Sequence, residues 1–309
     1  MNNPDQHASV RNELGTLVTE SSNDRYPDLA AMDTLALAVA MNGEDALVPA
    51  AVQRAVPLIA GIIDEIAARM ADGGRLIYVG AGTPGRMGIL DASECPPTFG
   101  TDPSRVVGVI AGGPVAVGQA VENAEDSTDA GAADMAALML TAEDSVVGIA
   151  ASGRTPYVIA AVEAARAAGA YTVGFSCNEQ SPLGAAADTA LEIVVGPEFL
   201  TGSTRLKSGT AQKLVLNMIS TITMVRLGKT YKNFMVGLVA TNEKLRARSE
   251  RTLMRATGCD AATAAATLAT VDGSVKAAIL VIMTGIPAEQ AQAVLAQHRG
   301  YLPEAINAN

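Results

Sequence analysis

The sequence has no tryptophan, and only 3% of its 309 residues are aromatic, although 49% are hydrophobic. The core must therefore be built from alanine, valine, isoleucine, leucine and methionine, as in layered α/β proteins. A chain of this length suits one large domain accompanied by a smaller one.

Histidine is nearly absent. The chain has two, His7 in a polar N-terminal stretch and His298 near the other end. Histidines at such positions usually lie on the surface. Their scarcity argues against a Ser–His–Asp triad and against a histidine-rich metal site. Acid–base chemistry should then fall to Glu, Asp, Lys, Tyr or Cys.

Cysteine is also scarce, with three residues at no metal-binding spacing. An odd, scattered set of this kind predicts a reducing, cytoplasmic location. Residues 1–10 are polar and contain no apolar signal core. Two apolar stretches, 277–283 and 215–225, are too short or too interrupted to span a membrane. The net charge of −10 argues against nucleic acid as the main partner.

Apolar segments typical of strands alternate with helical segments through the middle of the chain. The predicted strands are residues 76–79, 105–110, 145–150, 171–176 and 191–195. Continuous apolar strands joined by helices predict an α/β fold with a parallel sheet covered by helices on both faces. Residues 46–249 should form this domain, preceded by an N-terminal arm over 1–45. Short alanine-rich segments over 250–309 predict a small three-helix module.

A glycine-rich turn over residues 80–85 follows the first predicted strand and should open a helix near Thr83. The spacing also matches the G-x-G-x-x-G dinucleotide fingerprint, but no acidic residue ends the next strand to hold a ribose. We therefore expect no nicotinamide. No other cofactor and no metal ion is expected either.

The same helix carries a candidate proton donor, Glu94. We expect the helix to end by Cys95, because the residue before a proline disfavours helical angles and Pro96 follows. Glu94 would then lie at the C-terminal end, where the partial negative charge of the helix should raise its pKa. A carboxyl that stays protonated near neutral pH is a general acid.

Three polar turns at strand ends are candidate sites for a phosphorylated small molecule. Open α/β sheets bind ligands at the carboxyl ends of their strands, and helix-start N–H groups together with hydroxyls bind phosphate. The candidate binding residues are Gly82, Thr83, Gly85 and Arg86 in the first turn, Ser152, Gly153 and Thr155 in the second, and Ser203, Thr204 and Lys207 in the third.

A second carboxylate comes from a helix expected over residues 114–126. With about 100° per residue, Glu125 would flank the apolar stripe of this helix and Glu122 would lie well behind it. Glu125 could therefore point into a cleft while Glu122 meets solvent. From the pattern alone, a solvent-exposed Glu125 remains the alternative, since most glutamates are exposed.

Several motifs together resemble the N-acetylmuramic acid 6-phosphate etherase family, over about residues 19–246. They include Gly-Ala-Gly-Thr-Pro-Gly-Arg, Ser-Glu-Cys-Pro-Pro-Thr-Phe-Gly, Ala-Glu-Asp and Gly-Ser-Thr-Arg-Leu-Lys. The resemblance implies a sugar isomerase (SIS) domain, a homodimer and a cytoplasmic role in recycling cell-wall sugars. It implies cleavage of the D-lactyl ether of N-acetylmuramate 6-phosphate to N-acetylglucosamine 6-phosphate and D-lactate. The two catalytic glutamates of the family fall on Glu94 and Glu125.

This chain departs from the family pattern at two places. The family usually has serine where this chain has Pro84, which removes a hydroxyl donor from the central turn. After Glu20 the family usually has Arg-Asn-Pro, and this chain reads Ser-Ser-Asn-Asp-Arg-Tyr-Pro.

The residue inventory agrees with that reaction, with Glu94 as the acid and Glu125 as the base. One alternative is an aldose–ketose sugar-phosphate isomerase on the same fold, which needs the same proton abstraction at C2. The other is a non-catalytic sugar-phosphate sensor resembling the glucokinase regulators. Those regulators resemble two such domains in tandem, whereas 309 residues hold one.

Overall fold

A five-stranded parallel sheet forms the centre of the fold. The computed structural model describes residues 14–237 and 243–309, so His7 lies outside the described residues. The strands are β1 (Leu76–Gly80), β2 (Val106–Ile110), β3 (Ser145–Ile149), β4 (Tyr171–Ser176) and β5 (Thr189–Glu192). Their order is β2-β1-β3-β4-β5, and all pairs are parallel. The predicted α/β fold is thereby confirmed, although β5 begins two residues before its predicted start.

Helices alternate with these strands along the chain. They are α1 (Thr34–Asp45), α2 (Val48–Ala71), α3 (Gly82–Phe99), α4 (Thr128–Ala137), α5 (Pro156–Ala167), α6 (Pro182–Ala186) and α7 (Lys207–Arg226). β1 and β3 are buried at every residue. Helix α5 packs on β1, β3 and β4 through apolar side chains such as Val158 and Val162. Burial on both faces explains why the strands are continuous apolar runs.

The chain divides into two compact units, one of Met1–Asp91 with Val106–Ile219 and one of Ala92–Arg105 with Ser220–Asn309. The first unit contains the sheet. The domain boundaries expected at residues 45 and 249 stay a prediction.

The second unit contains more helices than the three expected. Within the described residues they are α8 (Glu243–Thr257), α9 (Ala261–Thr270), α10 (Val275–Thr284), α11 (Ala288–Gln297) and α12 (Leu302–Asn307), after a short hairpin of β6 (Thr230–Tyr231) and β7 (Phe234–Met235). These helices enclose a core that includes Leu253, Ile279, Leu280 and Leu302. The helical character of this part was predicted, but its helix count was not.

The prediction of a helix over residues 114–126 is wrong. In its place are two short 3-10 turns, Gly113–Val117 and Ala124–Asp126, with non-helical residues between them. Asn123, inside the expected span, has a φ of 59°, which a helix cannot continue through. The segment is therefore a loop between β2 and α4.

By length and composition alone, the helical stretch Thr34–Ala71 could cross a membrane, and so could α9 and α10 if they were joined. Core helices of soluble proteins can be equally long and apolar. In α2 the side chains of Ile59, Ile62, Ile63 and Ile66 are at most 2% exposed within this fold.

Candidate active site

The sheet order places two of the candidate turns side by side. Strand order changes direction at β1, and sheets of this type bind ligands in the crevice outside the carboxyl ends of the strands at that point. Gly80, the last residue of β1, pairs with Ile149, the last residue of β3. The turn into α3, which follows β1, and loop 152–155, which follows β3, therefore lie next to each other at this crevice.

Glycines let α3 approach β1 closely. A Cβ atom on Gly80 would lie 2.6 Å from the backbone nitrogen of Gly85, and one on Gly85 would lie 2.8 Å from the Gly80 carbonyl oxygen. Helix–strand packing therefore accounts for two glycines of the fingerprint-like spacing. Helix α3 begins at Gly82, within one residue of the predicted start.

The first turn of α3 offers backbone donors to a ligand. The N–H groups at a helix start have no acceptor within the helix. Pro84 has no N–H, and that of Gly85 donates to the Ala81 carbonyl oxygen at 3.5 Å. This leaves the N–H groups of Gly82 and Thr83 without an acceptor in the part of the chain that the structure describes.

The second candidate turn, loop 152–155, is tightly built and leads into α5. Gly153 has a φ of +70°, and a Cβ atom there would lie 2.4 Å from the Cβ of Ser181, so only glycine fits. The N–H of Arg154 donates to Ser152 Oγ at 3.2 Å. Thr155 is the N-cap residue of α5, but its side chain does not cap the helix. Its hydroxyl can therefore face a ligand.

The third candidate turn differs, because a protein carboxylate already occupies the start of α7. Glu198 is fully buried, and its two oxygens accept from the N–H groups of Lys207 at 2.8 Å and Ser208 at 3.0 Å. The N–H groups of Ser203 and Thr204 donate to carbonyl oxygens within the turn. This turn can therefore offer the hydroxyls of Ser203 and Thr204, rather than a cradle of backbone donors.

Lys207 lies in a buried ion pair. Its ammonium donates to Glu44 Oε2 at 2.7 Å, and Arg25 pairs with the other oxygen of Glu44 at 2.7 Å. Burial alone raises the pKa of the Glu44 carboxyl. The hydrogen bond from Lys207 and the charges of Lys207 and Arg25 outweigh that effect and hold this pKa below its ordinary value. The expected role of Lys207 as a phosphate cation stays a prediction.

A cleft of about 270 Å³ lies beside the first turn. Gly82 and Arg86 line it, and so do both Glu122 and Glu125 from the loop between β2 and α4. The expectation that a helix face separates these two glutamates is therefore wrong. Glu125 is exposed.

Arg86 holds the loop that carries Glu125. Its Nε donates to the carbonyl oxygen of Val117 at 3.0 Å, and a terminal nitrogen donates to that of Gln119 at 3.4 Å. The sequence predicts Arg86 as a substrate-binding residue. In this structure its guanidinium group bonds to the loop backbone.

Glu94 does not lie at a helix end, so that expectation is wrong. Helix α3 continues through Pro96 and Pro97 to Phe99. It stops at Gly100, which has a φ of +62° and donates its N–H to the Pro96 carbonyl oxygen at 2.9 Å. A glycine therefore ends the helix where the prolines were expected to do so. Glu94 is exposed more than one turn before that end, and the assignment of an acid role to it rests on the family resemblance.

Three buried polar residues that support these turns were not predicted from the sequence, Glu44, Asn178 and Glu198. Their partners lie far away in the sequence or on the backbone, so no local motif marks them. Asn178 follows the carboxyl end of β4, and the position rule for open sheets could have indicated it. Within residues 14–237 and 243–309, no group of three or more His, Cys, Asp or Glu residues could hold a metal ion.

Comparison with known proteins gives full-length relatives. A curated protein from Streptomyces avermitilis, named N-acetylmuramic acid 6-phosphate etherase, is 58% identical over 100% of this chain and 99% of its own length. One of the same name from Brucella anthropi is 52% identical over 97% and 98%. Residues 58–166 match the glucokinase regulatory protein N-terminal SIS domain, and residues 119–222 match the SIS domain. A solved structure from Escherichia coli has a TM-score of 0.47 at 19% identity and covers 64% of this chain and 95% of the other.

Proposed function

Because this chain belongs to the N-acetylmuramic acid 6-phosphate etherase family, we propose that it cleaves the D-lactyl ether of N-acetylmuramate 6-phosphate. The products are N-acetylglucosamine 6-phosphate and D-lactate. The full-length identity to the named etherases carries this proposal. The cleft beside the first turn supports it, because Glu122 and Glu125 line this cleft together with Gly82 at the start of α3.

The reaction proceeds by elimination and hydration on the open-chain sugar. The C2 hydrogen is acidified by the neighbouring C1 aldehyde, and a carboxylate base removes it. The electron pair forms the C2–C3 double bond as the C3–O bond breaks, and a carboxylic acid protonates the departing lactate oxygen. Water then adds at C3, and a proton returns to C2. Glu125 is the proposed base, and Glu94 is the proposed acid.

The phosphate binds at the first two turns. Two other helix starts already carry carboxylates, because Glu198 caps α7 and Glu192 accepts from the N–H groups of Gln180 and Ser181 before α6. A phosphate at either would meet a like charge. Within the described residues, no carboxylate accepts a hydrogen bond from the backbone at the starts of α3 and α5. The proposed contacts are Gly82, Thr83, Gly85, Ser152, Gly153 and Thr155, with the hydroxyls of Ser203 and Thr204 alongside.

The decisive experiment is incubation with N-acetylmuramate 6-phosphate followed by an assay of D-lactate. In heavy water the sugar product should carry deuterium at C2, and in ¹⁸O-labelled water it should carry the label at C3. A ketose phosphate without lactate would instead indicate an isomerase, and binding without turnover would indicate a sensor. Label found only in lactate would exclude elimination at the sugar.

The enzyme is proposed to be a cytoplasmic homodimer. The cytoplasmic assignment is supported by Cys95, Cys177 and Cys259, none of which forms a disulfide within the described residues. The dimer is supported by exposed apolar side chains on the loop beside the cleft, where Val115 is 61% and Val117 42% exposed. Light scattering on the purified protein tests this assembly, and a monomer at all concentrations would contradict it.

A further inference from the structure

Asn178 uses both polar atoms of its side chain to join two distant segments. The side chain is 3% exposed at the carboxyl end of β4. Its Oδ1 accepts from the N–H of Val18 at 2.8 Å and from that of Thr19 at 3.4 Å. Its Nδ2 donates to Thr19 Oγ1 at 3.0 Å and to the carbonyl oxygens of Ala151 and Ser152 at 3.2 and 3.3 Å.

The two carbonyl groups belong to the segment that enters loop 152–155. In a planar peptide the C=O and the N–H of the same unit point in opposite directions. Holding the Ala151 carbonyl against Asn178 therefore turns the N–H of Ser152 away from Asn178. That N–H has no acceptor within the described part of the chain. The Ala151 carbonyl oxygen also accepts from the Cys177 N–H at 2.9 Å. The Asn178 amide, which also holds the next carbonyl at Ser152, therefore acts with the strand backbone to fix the direction of a donor in the proposed phosphate loop.

The other partner is the N-terminal 3-10 turn Val18–Glu20. This turn also reaches the third candidate turn, since a Cβ atom on Gly202 would lie 3.2 Å from Glu20 Oε2. The N-terminal turn is therefore anchored at the same edge of the first unit as the ligand loops.

We propose that Asn178 is a positioning residue that fixes loop 152–155 in its phosphate-binding conformation by fastening it to the N-terminal turn Val18–Glu20. The inference rests on the proposed function, because that function places the phosphate at this loop. Asn178 is assigned to the loop and not to the ligand, because both polar atoms of its side chain already bond to the protein.

The test variant is Asn178→Asp, which separates the two sides of the contact. A carboxylate can still accept from the N–H groups of Val18 and Thr19, but it has no proton to donate to the Ala151 and Ser152 carbonyls. The matched control is Thr172→Ala in β4, because Thr172 is fully buried and hydrogen-bonded to Asp188 at the opposite end of that strand.

Asn178→Asp should raise KM for N-acetylmuramate 6-phosphate about tenfold, as expected for one lost hydrogen bond to a charged group. Inhibition by inorganic phosphate should weaken in the same proportion, while kcat should stay within about threefold of the wild type. Thr172→Ala should lower the melting temperature and leave KM unchanged. If Asn178→Asp lowers only the melting temperature, the positioning role is wrong.

Two further measurements keep the outcome decisive. Asn178→Ser, which is neutral and too short to reach the loop, gives the same KM test if the aspartate variant does not fold. Hydrogen exchange over residues 150–156 should be faster in both variants than in the wild type. This readout does not depend on turnover, so it decides the role of Asn178 even if the wild type releases no lactate, which would refute the proposed function alone.

Discussion

The ammonium of Lys207 donates to Glu44 at 2.7 Å between side chains that are 1% and 0% exposed. Glu44 lies in α1 and Lys207 begins α7, so the pair joins segments 163 residues apart. Removal of one partner from a buried pair leaves an uncompensated charge, which costs more than the pair contributes. The contact therefore makes the start of α7 depend on the N-terminal segment.

Glu44→Gln should lower the free energy of unfolding by about 3–5 kcal/mol, the usual cost of breaking a buried ion pair. The double variant Glu44→Gln, Lys207→Met should recover much of that loss, because the buried charge is gone. Urea unfolding of the three proteins measures both values. The matched control is Glu65→Gln, whose carboxylate forms a partly exposed i,i+4 pair with Arg69 and should cost at most about 0.5 kcal/mol. Equal losses from Glu44→Gln and Glu65→Gln would contradict the argument.

The two proposed catalytic carboxyls, Glu94 and Glu125, can be tested with Glu122 as a control. Glu94→Gln and Glu125→Gln should each keep the fold and lower lactate release by about 10²–10⁴, the usual contribution of a positioned acid or base. Glu122→Gln should be close to neutral. Glu122 and Glu125 line the same cleft, so this comparison now decides between them. An essential Glu122 with a dispensable Glu125 would reverse the assignment.

These glutamates illustrate where sequence reasoning succeeds and fails in this chain. The buried strands were predictable, because parallel strands covered on both faces are continuous apolar runs. The helix expected over residues 114–126 is replaced by two 3-10 turns, because the folded loop sets a positive φ angle at Asn123. A Cβ atom on Gly112 would meet the Val121 side chain at 2.8 Å, a contact between residues nine apart that periodicity does not encode.

The turns of the candidate site were predictable from the sequence, but the buried residues that hold these turns in place were not. Strand ends followed by glycine and hydroxyl residues indicated the loops at the crevice. The buried hydrogen bonds of Glu198 and Asn178 depend on tertiary contacts, and Asn178 reaches a partner 160 residues away. The end of α3 shows the same limit, since local preference at Pro96 was overridden and Gly100 supplied the stop.

Arg86 offers a test that separates loop positioning from phosphate binding. Arg86→Met removes the donors to the Val117 and Gln119 carbonyls, so the loop that carries Glu125 loses its anchor. We expect kcat to fall at least about tenfold with a smaller change in KM, because a displaced base slows the chemical step. Steady-state kinetics measure both parameters.

The control for Arg86 is Arg54→Met, because the Arg54 guanidinium donates to the Ala50 carbonyl oxygen of its own helix. This variant should leave both parameters unchanged. A rise in KM at constant kcat for Arg86→Met would instead place Arg86 on the substrate phosphate, as sequence analysis expected.

Lys276 gives the second unit a distinct dependence of stability on pH. Its Nζ donates to the carbonyl oxygens of Gly228 at 2.7 Å and Gly300 at 2.8 Å. Burial, and then the nearby charge of Lys229, lower the pKa of Lys276 from its ordinary 10.5 to about 8. A neutral amine keeps two N–H donors, so deprotonation preserves both hydrogen bonds while it removes the buried charge.

The contribution of Lys276 to the free energy of unfolding should therefore rise between about pH 8 and pH 10.5. Below pH 8 both states hold the proton, and the folded state bears the cost of the buried charge. Between the two pKa values the unfolded state holds more protons, so stability increases with pH. Urea unfolding across this range for wild type and Lys276→Met should give a difference that grows with pH.

The difference in free energy of unfolding between wild type and Lys276→Met separates the effect of Lys276 from that of a second group, which acts in the opposite direction. Burial raises the pKa of the Cys177 thiol from 9.0 to about 12, which makes stability fall as pH rises through that interval. Cys177 is present in both proteins, so its effect cancels.

The control variant is Arg299→Met. It removes a positive charge from the turn next to Gly300 without removing a group that titrates below about pH 11. The free energy of unfolding of Arg299→Met, plotted against pH, should run parallel to that of the wild type. If the free energy of unfolding of Lys276→Met also runs parallel to that of the wild type, burial does not destabilise the Lys276 ammonium. The two carbonyl groups then compensate its charge fully.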